Sequence, residues 1–187
     1  MRVIAGRFRR RTLASLTGQD TRPTYDRLKE TLFNVLASAG NLEGANFLDL
    51  FAGTGSVGIE ALSRGAAHIV FVENSRAAAG VITANLKSLS IGEEAEALEC
   101  DAAEALRRLA ARGDRFGVCF LDPPYRMTGA YEQMLRLLGK GTLLKEEGWV
   151  IAEHEKRFDP GDGTQKLVRF RRLEQGDSAL SFYKTRK

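Results

Sequence analysis

Short runs of β-branched and aromatic residues alternate with longer segments whose apolar positions recur every three to four residues through the middle of the chain. The runs at 47–51 (FLDLF), 68–73 (HIVFVE), 95–100 (AEALEC), 117–122 (GVCFLD) and 148–154 (GWVIAEH) read as strands. Helical spacing occupies 57–64, 75–90, 102–112 and 130–139 between them. Strands that are apolar throughout and separated by helices build a parallel sheet covered on both faces, so the pattern predicts a doubly wound α/β domain.

The pattern changes after Phe158. A turn cluster, Asp159-Pro160-Gly161-Asp162-Gly163, precedes KLVRFRRL (166–173) and ALSFYK (179–184), which alternate and are joined by a short loop. They predict an antiparallel hairpin closing the sheet, seven strands in all. At the front, RVIAG and RRTLAS are expected to pair as a second small hairpin around Arg7–Arg10. A helix is expected over 25–39, with Thr24 or Asp26 as its cap. Arg22-Pro23-Thr24 marks the joint, dividing a basic extension (1–22) from the sheet domain (23–187).

Size and composition narrow the class. With 187 residues, 43% apolar and 28% charged, the chain is one soluble globular domain, long enough to bury roughly 70% of its extended surface without staples. No run approaches the ~18 apolar residues of a membrane span and the start lacks a secretory core, so a cytoplasmic protein is expected. Cys100 and Cys119 are too few for a disulfide framework and are expected to be buried thiols. His68 and His154 lack the spaced partners of a metal site, so no metal is expected. Charge is polarised. Residues 1–30 carry eight Lys/Arg against three Asp/Glu and residues 166–187 seven against two, leaving the middle acidic. If the two ends meet, they offer a face to a polyanion; otherwise they are solvated ends.

Two motifs carry chemistry. Asp49-Leu50-Phe51-Ala52-Gly53-Thr54-Gly55-Ser56-Val57-Gly58 sets G-x-G-x-x-G between a strand and a helix, where glycines admit a ligand to the backbone and helix N–H groups bind a carboxylate or phosphate. Glu73 closes the next strand, placed to accept from a ribose diol, and Asp101 follows the third, so Asp49, Glu73 and Asp101 are expected along one crevice. A nicotinamide cofactor and S-adenosylmethionine both suit such a loop. Asp49, close to the ligand's near end, favours an ammonium-bearing molecule over a pyrophosphate.

The second motif is Asp122-Pro123-Pro124-Tyr125 at the end of the fourth strand. Two prolines donate nothing to the ladder, so the carbonyls of Asp122 and Pro123 stay free. With the Asp122 carboxylate they form an acceptor arc for an exocyclic amine, holding its nitrogen in line with an electrophilic methyl. Tyr125 offers a stacking face worth ~1–3 kcal/mol to a base. A DNA adenine or cytosine amino-methyltransferase would use the same arc, although 187 residues leave little room for a target-recognition domain. A non-catalytic cofactor or RNA binder, and an oxidoreductase, are the other classes weighed.

Taken in order, RVIAGRFRRRTL, TRPTYDRLKETLFNVL (21–36), FLDLFAGTGSVGIEALSRGA (47–66), VFVE, DPPY and ALSFYK make the chain similar to the RsmD family across nearly its whole length. That resemblance implies a class I, Rossmann-like methyltransferase that places one methyl from S-adenosylmethionine on the N2 amine of a guanine in small-subunit ribosomal RNA. It also implies roles. Asp49, Ala52, Gly53 and Gly55 would hold the methionine end, Glu73 the ribose, and Asp101 and Ala102 the adenine. Asp122, Pro123, Pro124 and Tyr125 would take the guanine, while Arg22, Pro23 and Thr24 close over the cofactor. Phosphate contacts are expected from Arg2, Arg7, Arg9, Arg10, Arg11 and Arg27, with a monomer acting on a folded RNA surface of an assembled or assembling subunit. Arg10 departs from the family, which often has Gly there.

Overall fold

The computed structural model describes residues 1–16 and 23–186, with only the backbone of residues 23–25. In chain order the elements are α1 (Pro23–Ser38), β1 (Asn46–Leu50), α2 (Ser56–Ser63), β2 (His68–Glu73), α3 (Arg76–Ser88), β3 (Ala95–Glu99), α4 (Ala102–Arg112), β4 (Phe116–Leu121), α5 (Thr128–Gly139), β5 (Leu144–Glu155), β6 (Leu167–Gln175) and β7 (Ser178–Thr185). The strands form one sheet in the order β3-β2-β1-β4-β5-β7-β6, parallel from β3 to β5 and antiparallel where β7 inserts between β5 and β6. This is the doubly wound seven-stranded sheet that the apolar pattern predicts.

Alternation along the strands divides the core. Phe47, Phe71, Phe120 and Ile151 face α1–α3, whereas Leu48, Val72, Leu121 and Ala152 face α4 and α5. With helices on both faces, β1 and β4 need no polar side, which is why they read as continuous apolar runs. Gly58 belongs to this packing: a Cβ there would stand 2.3 Å from the Phe71 ring, so the third glycine of the loop lets α2 lie close against β2. No helix among the described residues is long and apolar enough to cross a membrane.

Four features differ from expectation. β5 begins at Leu144, not 148, because Phe116 pairs with Leu144 before a register shift, near which Glu147 takes φ 61°. Helix α1 starts at Pro23, so Thr24 and Asp26 lie inside its first turn and not at its cap. Cys100 is half-buried, whereas Cys119 is buried as expected. The front segment pairs antiparallel but only through one bridge, Arg2 with Thr12, and the bonds beside it, Val3 N–H to Arg11 O (3.0 Å) and Leu13 N–H to Met1 O (2.8 Å).

That segment is held by α2 more than by itself. The Ile4 and Ala5 N–H groups donate to the buried Glu60 carboxylate at 2.8 and 3.0 Å, and Arg64 Nε and Lys29 Nζ approach it at 2.7 and 3.8 Å. Val3 and Leu13 enter the same apolar cluster as α1–α3. The tight turn between the arms puts Arg10 at φ 69°, the left-handed conformation that costs a side-chain-bearing residue ~1–2 kcal/mol. It is the position at which the resemblance led to an expectation of Gly.

Candidate active site

In this sheet the chain leaves β1 toward β2 on one side, while β4 lies on the other, so the loops after β1 and β4 part and leave a crevice at their carboxyl ends. The loops after β2 and β3 extend the same edge. Glu73 ends β2, Asp101 follows β3, and Asp122 follows β4.

The glycine loop is braced from within. Ala52 N–H donates to Val72 O (2.9 Å) and Gly55 N–H to Ala52 O (2.8 Å). Gly55 takes φ 79° as the residue before α2. A Cβ on Gly53 would meet nothing within 4 Å, so this part of the loop borders open space. Both oxygens of Glu73 accept backbone N–H groups at 2.8 Å, from Gly53 and from Ser75. Asp101 caps α4, its Oδ1 accepting from Ala103 N–H (2.8 Å) and Glu104 N–H (3.4 Å), and Ala102 is buried beneath it. Asp49 is 1% exposed and accepts from Gly58 N–H at 2.9 Å. Burial pushes its carboxyl up to about 8; the charges of Asp122 and Glu73 add to the rise, and the Gly58 hydrogen bond opposes it.

At the end of β4 the prolines act as their chemistry dictates. Asp122 N–H still reaches Leu50 O at 3.4 Å, and Pro124 O accepts from Met127 N–H at 2.7 Å. Among the described residues no hydrogen bond is made to the carbonyls of Asp122 or Pro123. Pro123 is buried, and Tyr125 stands 47% exposed with its hydroxyl 3.4 Å from Ser178 Oγ. Loss of surrounding water pushes the half-buried Asp122 carboxyl up to about 7.

One residue of this edge escaped the sequence reading. Leu121 pairs with Ala152, so one step further the register sets Asp122 beside Glu153 on β5. Two residues beyond Phe120 and Ile151 respectively, both belong to the face that Asp49 also occupies. Glu153 is 6% exposed, and among the described residues no cation or hydrogen-bond donor meets its carboxylate. Burial first, and the neighbouring Asp122 charge second, hold it well above the usual carboxylate range. An acid at the carboxyl end of a parallel strand was the available signal, set in an otherwise apolar run (WVIAEH) that reads only as a strand.

The arginines divide. Arg7 pairs with Glu94 and lies 4.4 Å over the Phe8 ring, and Arg11 donates to Ser88 O at 2.9 Å. Arg7 N–H also reaches Ser63 O at the end of α2, which runs about 12 Å back from the glycine loop. The tip holding Arg7, Arg9, Arg10 and Arg11 thus sits toward the sheet edge opposite the crevice. Arg2 and Arg27 are exposed, and Arg22 and the Thr24 side chain lie outside the described residues.

The family described as "Conserved hypothetical protein 95" matches residues 1–184. The chain belongs to that family. It is 39% identical over 157 residues to "Ribosomal RNA small subunit methyltransferase D" of Haemophilus influenzae, covering 83% of this chain and 79% of that one. The solved structure of the Escherichia coli protein yhhF, provisionally titled a methyltransferase, superposes with a TM-score of 0.82 at 33% identity over 99% of this chain and 97% of that one. A more distant structure, SMU.776, was solved complexed with SAH; it is 15% identical over 87% of this chain and 50% of that one, and its TM-score of 0.69 marks a shared fold.

Proposed function

We propose that this protein transfers a methyl group from S-adenosylmethionine to small-subunit ribosomal RNA, on the exocyclic N2 amine of a guanine. The observation that carries the reading is the pair of unbonded carbonyls on Asp122 and Pro123, beside the Asp122 carboxyl and across the crevice from the glycine loop. Family membership and the small-subunit name of the 39%-identical relative support the RNA class of substrate.

The crevice suits the cofactor by its chemistry. Open space at Gly53 admits a ligand to the backbone, and acids stand at three successive strand ends. Asp49 with Ala52, Gly53 and Gly55 would hold the methionine end, Glu73 the ribose, and the Asp101–Ala102 turn the adenine. When bound, S-adenosylmethionine supplies an electrophilic methyl carbon on its sulfonium sulfur.

The chain's own part is positioning and proton management. A guanine amine donates one N–H to the Asp122 carboxylate and the other to a free carbonyl, which fixes its nitrogen and draws its lone pair out of conjugation. Tyr125 stacks on the ring. With its carboxyl near neutrality, Asp122 can take the proton that the nitrogen releases as the new N–C bond forms. Glu153, buried alongside and itself raised by burial and by the Asp122 charge, offers a second carboxyl that favours its protonated form. The base must leave its stack to reach Asp122. We propose that the enzyme acts as a cytoplasmic monomer on an assembled or assembling subunit.

The test is methyl transfer from labelled S-adenosylmethionine to small-subunit RNA and subunits from cells lacking this gene, followed by nucleoside mass analysis. N2-methylguanine at one site is expected. Label on another atom, on DNA alone, or nowhere would overturn the reading.

A further inference from the structure

Beyond Tyr125 the reacting segment opens onto a second hollow. A cavity of about 200 Å³ is lined by Tyr125, Thr128, Tyr131, Glu155, Arg157 and Phe158. It is smaller than the ~300–1,000 Å³ of most whole-ligand sites and suits a single ring system. Tyr131 and Phe158 form an aromatic side, their centroids 5.0 Å apart, and the Tyr131 hydroxyl is tied to Glu153 O at 2.8 Å, which fixes that wall.

Its surroundings are those of a contact surface. Only three large apolar residues are exposed among those described, and two of them, Tyr125 and Met127, each 47% exposed, lie on the loop between β4 and α5 that supplies one wall of this cavity. Arg126 and Arg157 are exposed and form no ion pair or hydrogen bond among the described residues. Three nearby cations are neutralised: Lys156 pairs with Glu174, Arg169 with Asp159 and Asp162, and Arg172 with Asp159 and Glu174. Two uncompensated guanidinium groups beside an aromatic pocket match a strand that offers alternating bases and phosphates. The Glu155 carboxylate on the wall would repel a phosphate inside the cavity but accept from a base's N–H groups, so the base enters and the phosphates stay outside.

We propose that this cavity holds the base of a nucleotide flanking the methylated one, with Arg126 and Arg157 on the adjoining phosphates, so that the RNA crosses the α5 side of the catalytic edge. This rests on the RNA-methyltransferase reading. It differs from the sequence expectation, which gave the phosphates to the arginine tip at the opposite edge.

The experiment compares the double variants R126A/R157A and R9A/R10A, and T128W to fill the cavity, using small-subunit RNA from cells lacking the gene. R126A/R157A is expected to raise KM for RNA about 10–100-fold, with the loss falling on KM more than kcat. It should also flatten the log–log salt dependence of binding by roughly 1.4–1.8, two contacts' worth. T128W should raise KM similarly, R9A/R10A should shift it less, and calorimetry should give unchanged S-adenosylmethionine affinity for all three. KM and salt slope unaltered in R126A/R157A, but altered in R9A/R10A, would place the RNA on the opposite edge and overturn the proposal. Normal binding of naked RNA, with activity lost only on ribonucleoprotein, would assign the cavity to a protein partner and overturn it too. A wild-type protein inert on all RNA would instead sink the proposed function.

Discussion

Glu60 and the group of Asp49, Glu153 and half-buried Asp122 are acids on the same side of one sheet, yet they are built oppositely. Glu60, 0% exposed, is surrounded by two backbone donors, Arg64 and Lys29, so its charge is compensated where it stands. The three acids at the carboxyl edge face one another instead, Asp49 with a single backbone donor and Glu153 with none among the described residues. A buried charge that is fully partnered holds the structure together, whereas mutually repelling acids store affinity for a cation or a proton that has yet to arrive.

The largest effect that would break this contrast is kinetic. Replacing Asp122 with Ala should lower turnover ~10²–10⁴-fold while cofactor affinity by calorimetry changes little; equal losses in both would make Asp122 a structural acid like Glu60. Next comes stability. Glu60→Ala should cost about 3–5 kcal/mol in urea unfolding, because Arg64 and two N–H groups lose their acceptor. Glu153→Gln should do the reverse, gaining on the order of 1 kcal/mol at pH 8 and less at pH 5. Destabilisation by E153Q at pH 8 would show that its charge is compensated after all.

The pH dependence sharpens the comparison with a smaller effect. Carboxyls that ionise near 4 when unfolded but near 7 or 8 in the native protein keep extra protons when folded, so stability should fall as pH rises from about 4 to 8. A cationic ligand favours their ionised forms. Affinity for S-adenosylmethionine should therefore rise several-fold between pH 6 and pH 8, with proton release on binding seen by calorimetry in buffers of different ionisation enthalpy. Flat affinity would mean that the acids do not sense the ligand. The smallest expected change is Arg10→Gly, which should stabilise by about 1 kcal/mol by relieving the left-handed backbone, with catalysis untouched.

What was readable in the sequence was local. β1 and β4 announce themselves as apolar runs stopped by Gly or Pro, and the same punctuation marks the glycine loop and the Asp122–Tyr125 arc. What stayed hidden depends on contacts between residues far apart in the chain. Arg7 and Arg11 looked free until Glu94 and Ser88 were brought to them from 87 and 77 residues away. Glu153 was hidden by its own strand, since an acid among core residues gains meaning only from the neighbour that register gives it. The start of β5 was missed because a positive φ at Glu147 and a register shift interrupt the alternation that defines a strand.

The turn between β6 and β7 is gripped from two sides: Gln175 accepts from Thr31 Oγ1 of α1 at 2.8 Å, and three residues later Ser178 meets the Tyr125 hydroxyl. A helix on one flank and the Tyr125 ring on the other are thus moored to a single four-residue cleat. An insertion in that cleat would therefore disturb both attachments at once.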